Sequence, residues 1–290
     1  MYCDLHVHSH FSDGTWSPEE LVAEAERLGL DAVALCDHNT VAGVPQFMAA
    51  GQGSSVQTVA GIEFSTDFQG TELHILALFV QPEHYDTINA MMEDWKKKKE
   101  QSNIDLVAAL HGADIRLDYD AIKAKTPDGY VNRAVIAAEM LRLGYVDSVQ
   151  QAFSRWLSPK HGYFVPPQRL DAFEAIRFIK SIGAVAVLAH PFLNLDEAGL
   201  REFLTEAKQA GLDGMEVRYP LFDREQTELA GAIAREFGLL PSGGSDFHGA
   251  NKPHISLGTG RGELAVPNEW LCPVELCAHS KNNRRYPSNK

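Results

Sequence analysis

The chain is poor in the features that mark secreted, membrane-spanning and nucleic-acid-coating proteins. It has no run of about 18 apolar residues, which argues against a transmembrane helix. Cysteine is scarce, with four in 290 residues, too few to staple a chain of this length. Positive charge is short as well. Lys and Arg total 26 against 39 Asp and Glu, a formal net charge of −13. Such a chain has no general attraction to long nucleic acid or to an anionic membrane. The opening MYCDLHVH has neither the basic nor the apolar region of a secretory signal, so a cytoplasmic location is expected. No internal repeat is visible. What is present is ordinary for a globular protein: 44% apolar and 22% charged residues, with ample length for a sizeable core.

The first 80 residues alternate short apolar runs with helical patterns. Tyr2 to His8 reads as a strand. Ser17-Pro18-Glu19-Glu20 reads as a helix start, with Ser17 as N-cap, Pro18 at the first helical position and Glu20 closing a capping box. Leu21, Val22, Ala25 and Leu28 follow at helical spacing, and Gly29 ends the helix. Ala32–Asp37, Val59–Phe64 and His74–Val80 read as further strands. This rhythm predicts parallel βα units. Between residues 82 and 167 the pattern becomes mostly helical, near Ile104–His111, Asn132–Leu143 and Val149–Leu157. The run Trp95–Glu100, with four lysines, reads as a solvated helix face. Beyond Pro166-Pro167 the βα rhythm resumes through Leu239–His248. The expected organisation is a barrel-forming domain in two parts, 1–81 and 168–280, a helical insertion at 82–167, and a polar, disordered tail at 281–290.

His6 and His8 lie two apart on a strand, which puts both imidazoles on one face. Other candidates recur at or near strand ends: Asp37-His38, Glu63, His74, His190-Pro191, Glu216 and Ser245-Asp246-Phe247-His248. Singly, each is an ordinary polar residue. Together they matter, because parallel βα folds gather the carboxyl ends of their strands on one face. His, Asp and Glu in one place are ligands for zinc, manganese or iron. A multinuclear metal site is therefore expected. Arg218, two residues after Glu216, is expected either to face it as a substrate contact or to make a structural ion pair. Asn39 is expected either to bind a substrate oxygen or to cap a helix. His10, His84, His111, His254 and His279 fall in no motif and read as surface or packing residues. Cys272 and Cys277 have no second pair and do not read as a zinc knuckle.

His6-x-His8 with Ser12-Asp13-Gly14, Asp37-His38, Glu63, His74, Ala189-His190-Pro191 and Ser245-Asp246-x-His248 resemble the polymerase-and-histidinol-phosphatase (PHP) metal-dependent phosphoesterases. The resemblance implies an α/β fold, a distorted (β/α)7 barrel with a helical insertion subdomain. It implies two or three divalent ions (manganese, zinc or iron) at the strand ends. His6, His8, Glu63 and Asp246 would bind one, with Glu63 bridging to a second held by His74 and His190. Asp13, His38 and His248 would bind a third. Asp13, His38, Glu63, His190, Asp246 and His248 would also carry the catalysis, through a metal-activated water and without a Ser or Cys nucleophile. The insertion resembles that of the subgroup removing the 3′-phosphate of nucleoside 3′,5′-bisphosphates, some members of which degrade short RNA from the 5′ end. Asn132-Arg133 lies where that subgroup often has Gly-Arg-Pro-His, so Arg133 would clamp phosphate. The expected partner is a small phosphorylated molecule, a nucleotide, rather than long nucleic acid or membrane. Left open are another small phosphoester such as histidinol phosphate, an exonuclease on short oligonucleotides, and a non-catalytic PHP module.

Overall fold

Ser17 caps the first helix as its sequence predicts: its Oγ accepts from Glu20 N at 3.2 Å while Glu20 Oε2 accepts from Ser17 N at 2.7 Å. The computed structural model describes residues 2–126, 131–167, 169–271, 273–275, 277 and 278. The 281–290 tail, Cys272 and His279 lie outside the described residues. In chain order the elements are β1 (Tyr2–Val7), α1 (Pro18–Arg27), β2 (Ala32–Leu35), α2 (Val44–Ala50), β3 (Gln57–Phe68), β4 (Thr71–Leu78), α3 (Tyr85–His111), α4 (Tyr119–Lys125), α5 (Arg133–Arg142), α6 (Val149–Ala152), β5 (Leu170–Asp171), α7 (Ala172–Ser181), β6 (Val185–Leu188), α8 (Glu197–Ala210), β7 (Gly214–Arg218), α9 (Arg224–Glu236), β8 (Leu240–Gly243) and β9 (Val266–Pro267). Among the described residues no helix is long and apolar enough to cross a membrane.

The chain forms two compact units. One draws on the chain up to Asn89 and from Arg169 onward, the other on Ala90–Gln168. In the first, the sheet order is β8-β7-β6-β4-β3-β2-β1-β9, with β5 beside β3. Backbone bonds from His8 N to Phe247 O (2.9 Å) and from Asp246 N to His6 O (2.8 Å) bring the segment after β8 back to β1. The result is a nearly closed, distorted barrel. Its interior is filled by Leu5, Ala34, Val59, Leu76, Leu78 and Val187.

The sheet is not wholly parallel, as the βα rhythm suggested. β3 and β4 form an antiparallel hairpin, and β4 pairs antiparallel with β6. Gln69 and Gly70 turn the hairpin with φ of 52° and 82°, the backbone of a tight two-residue turn. A Gln there is a weak signal beside the usual Asn-Gly. The reversal has a consequence for His74, which sits in the N-terminal half of β4. Paired opposite Ser65, it reaches the same end of the barrel as residues at the carboxyl ends of the parallel strands.

In the second unit, α3 to α6 surround a core of Leu106, Leu110, Ile136, Met140 and Leu157. The sequence reading found helix at Trp95–Glu100 and Ile104–His111 within α3, and it missed α2, α4 and the start of α3. The Lys run lies within α3, where Lys97 and Lys98 are exposed.

Candidate metal centre

Two local irregularities decide which side chains reach the barrel mouth. On β1 the register against β2 slips: Asp4 pairs with Val33, but Val7 pairs with Leu35. The extra residue is a bulge, and it exchanges the faces of the strand. Before it, Cys3 and Leu5 join the interior cluster. After it, His6 and His8 take that side. β7 slips likewise between Glu216 and Arg218. Glu216 stays on the interior, but Arg218 turns aside, donating to the Ala265 carbonyl with its guanidinium 5.5 Å from the Trp270 ring. It borders a separate cavity of about 510 Å³. The expectation that Arg218 faces the site rested on strict alternation, which the bulge breaks.

Glu63, fully buried on β3, is the hub. Its Oε1 lies 2.8 Å from His74 Nδ1 and 3.1 Å from His190 Nε2. Its Oε2 lies 2.9 Å from His38 Nδ1 and 3.3 Å from both His6 Nε2 and His8 Nε2. Asp246 Oδ1 sits 3.2 Å from His8 Nε2. Asp13 Oδ1 sits 3.2 Å from His248 Nε2. All nine residues expected as ligands are thus brought together. His190 and Asp246 adopt left-handed backbone, with φ of 26° and 52°. Such strain costs about 1–3 kcal/mol per residue and gathers where surrounding structure imposes it.

The donor set fits divalent ions. Glu63 Oε2 makes no hydrogen bond despite three neighbouring imidazole nitrogens. His6 Nε2 and His8 Nε2 lie 3.0 Å apart, where at most one can present a proton to the other. Lone pairs therefore converge on common points. Among the described residues, four groups have ligand atoms within 4.8 Å of one another: His8-Asp13-His38-His248, His6-Glu63-His190, His6-His8-Asp246 and His38-Glu63-His74. Imidazole with carboxylate suits zinc, manganese and iron alike.

The model of the PHP domain matches residues 4–158, and this span begins two residues before the His6-x-His8 pair. The chain belongs to the PHP family. A 5′-3′ exoribonuclease of Haemophilus influenzae is 35% identical over 84% of this chain and 89% of its own. A 3′,5′-nucleoside bisphosphate phosphatase of Chromobacterium violaceum is 26% identical, over 84% of this chain and 86% of that protein. Among solved structures, a chain from Bifidobacterium adolescentis described as a metal-dependent phosphoesterase superposes with a TM-score of 0.78 at 28% identity, covering 95% of this chain and 96% of that one. This PHP protein is a metal-dependent phosphoester hydrolase.

Electrostatics in the PHP site follow from burial and from Glu63. Burial resists the Glu63 charge, but His38, His74 and His6 outweigh it and hold the carboxyl well below the usual range. Burial also opposes charge on His74, yet Glu63 pushes that imidazole up to about 10. His6 and His38 are raised in the same way. His8 runs opposite: burial, and then the neighbouring His248, drive it well below its ordinary value.

The supporting roles of several residues escaped the sequence reading, although Asp37 and Glu216 were among its candidates. Glu216 accepts from His190 N at 2.6 Å and holds His6 Nδ1 at 3.0 Å. That leaves the His6 Nε2 lone pair aimed at the cluster. Tyr219 Oη and Lys252 Nζ donate to Asp246 Oδ2 at 2.7 and 2.6 Å. Asp37 accepts from Ser9 N, Ser9 Oγ and Ser12 Oγ and so shapes the loop carrying Asp13. Burial pushes Asp37 up to about 6 despite these bonds. Buried Asp4 accepts from Ser245 N and Gly258 N, both at 2.8 Å, anchoring the loop that bears Asp246 and His248. The only signal in the sequence was a lone acid within an apolar strand, as at Asp4 and Glu216.

Two expected substrate contacts have other employment. Asn39 binds Ser65 twice, Nδ2 to Oγ at 2.9 Å and Oδ1 from N at 3.0 Å. It ties the loop after β2 to β3 through the amide expected to meet substrate. Arg133 Nη1 donates to Leu157 O at 3.1 Å, and its guanidinium lies 4.3 Å from the Phe164 ring. Both contacts are internal to the insertion.

Proposed function

We propose that this enzyme cleaves the phosphate ester at the 3′ oxygen of a 5′-phosphorylated nucleotide, with nucleoside 3′,5′-bisphosphates as the first substrate class. The observation that carries the hydrolytic reading is the convergence of five imidazoles on the buried Glu63 carboxylate. We assign His6, His8, Asp13, His38, Glu63, His74, His190, Asp246 and His248 as ligands of two or three divalent ions. Held by these residues, divalent ions would supply Lewis acidity toward phosphoryl oxygens and would lower the pKa of a water that serves as nucleophile. Glu216 fixes the tautomer of His6, and Tyr219 with Lys252 fixes Asp246, so the ligands stand preorganised. No covalent nucleophile is required. The buried thiols are unsuited to that role in any case: burial raises Cys3 to about 12 and drives Cys36 well above its ordinary value.

The nucleotide part of the proposal is supported by the Chromobacterium relative, whose name states that substrate. A second reading, 5′-to-3′ cleavage of short RNA, is favoured by the 35% identical Haemophilus relative. The two share one chemistry. In each, water attacks phosphorus and the bond to the 3′ oxygen breaks. A monoester releases inorganic phosphate, and a diester releases one 5′-nucleotide. The net charge of −13 favours small substrates over long ones. The test is product release with manganese from 3′,5′-bisphosphoadenosine, histidinol phosphate, 5′-AMP and a short 5′-phosphorylated RNA, with Asp246→Ala as control. Selective loss of the 3′-phosphate, absent in the control, is expected. No product from any nucleotide, in protein that holds metal, would refute the nucleotide assignment.

A further inference from the structure

Beside the metal centre, within the barrel unit, lies a cavity of about 280 Å³ bordered by Tyr219, Leu221, Asp246, Lys252, His254 and Arg261. Pockets that enclose a whole small ligand span about 300–1,000 Å³, so this one suits a single part of a substrate. Its place and chemistry indicate which part. The Asp246 carboxylate is shared between the two sites: Oδ1 lies 3.2 Å from His8 Nε2, and Oδ2 takes bonds from Tyr219 Oη and Lys252 Nζ. The Lys252 ammonium has three donors, of which Asp246 takes one. His254 and the exposed guanidinium of Arg261 add further N–H donors at the rim. Basic groups gather here in a chain whose formal charge is −13, so they are not a by-product of general basicity. The loop that carries them is pinned in advance. Asp4 holds Gly258 N, Thr15 Oγ1 accepts from Ala250 N at 2.9 Å, and Asn251 Nδ2 donates to Asp13 O at 2.8 Å.

We propose that this cavity is an anion subsite in which Lys252, His254 and Arg261 bind a second phosphate of the substrate, one sugar ring away from the ester cleaved at the metal centre. The inference rests on the nucleotide reading above and deepens it. A planar guanidinium binds phosphate through paired N–H donors. Binding energy from a phosphate that does not react then orients the one that does. The 5′-phosphate thereby becomes the handle that selects the substrate.

The test compares 3′,5′-bisphosphoadenosine with 3′-AMP, which lacks the second phosphate, on the manganese-loaded full chain. Each is measured on the native protein, on the double variant His254→Ala, Arg261→Ala, and on the charge reversal Arg261→Glu. Half-saturation is read as KM where the nucleotide is hydrolysed and as a calorimetric Kd where it is not. Phosphate release therefore judges the nucleotide reading separately from the subsite. Thermal melting verifies that each variant is folded. The subsite predicts that the native preference for the bisphosphate falls by about tenfold or more in both variants, the loss expected for hydrogen bonds to a charged group. An unchanged ratio of the two half-saturation constants in both variants would overturn it and place the second phosphate elsewhere.

Discussion

Glu216 offers the sharpest test of how the centre is assembled, because its two oxygens serve two of the proposed ligands. One accepts from His190 N and the other holds His6 Nδ1. Replacing it with Ala orphans both donors in a fully buried setting. Each unsatisfied group costs about 1–3 kcal/mol, partly offset by removing an acid from a crowded cluster, so a net loss of about 3 kcal/mol is expected. At about 2–4 °C per kcal/mol for a unit of this size, melting should fall by roughly 6–12 °C. Loss of a group that orients ligands typically weakens metal affinity by about 10–100-fold. Glu216→Gln separates the two effects. The amide oxygen can still accept from His190 N, so stability stays near that of the native protein. The amide nitrogen then faces His6 Nδ1 and donates to it, shifting the ring proton to Nε2, the atom aimed at the cluster. Gln should therefore lose metal affinity nearly as fully as Ala while melting close to the native protein. The assay is a competition titration against a fluorescent chelator, with melting measured on metal-free samples. Native metal affinity in Glu216→Gln would refute the account of His6 orientation.

Gly244→Ala should be destabilising by about 1–3 kcal/mol, as overpacked sites are, because the new methyl would lie 2.4 Å from His6 Cβ and 2.5 Å from His6 N. Denaturant unfolding checks this, and a native midpoint would show that the barrel seam is looser than described. Metal uptake should release protons and weaken as pH falls. In the metal-free cluster Glu63 raises His74 to about 10, so it carries a proton at neutrality that metal must displace, and His6 and His38 are shifted in the same direction. Calorimetry in buffers of different ionisation enthalpy counts those protons, and a count of zero contradicts the prediction. Arg133→Ala should lower the melting of the insertion, through the lost Leu157 and Phe164 contacts. If it also raises KM for the bisphosphate while Arg133→Lys restores melting but not KM, Arg133 clamps phosphate in addition to its structural task.

Most of the proposed ligands were legible because they announce themselves locally, whereas Asp13 entered only through the family resemblance. His6 and His8 are two apart on a strand, Asp37-His38 and Ser245-Asp246-Phe247-His248 end apolar runs, Glu63 is a lone acid in the apolar run Val59–Phe64, and His190 stands just beyond a strand. The groups that orient them were not legible. Glu216 differs from any other strand carboxylate only in facing His6, 210 positions away. Tyr219 and Lys252 meet at Asp246 through a loop whose path no local pattern predicts. Arg218 was misplaced for a related reason: a bulge is one extra residue in a pairing, and pairing is not written in either strand alone.

The sequence by itself determined the ligand types, the helix caps and the buried strands, since these depend on side-chain chemistry and on periodicity over a few residues. Only the tertiary structure decided the antiparallel run of β4, the two bulges and the closure of β1 against the segment after β8. Those features depend on backbone hydrogen bonds between distant segments. It is they that turn nine scattered residues into one centre and leave a cation-rimmed cavity beside it.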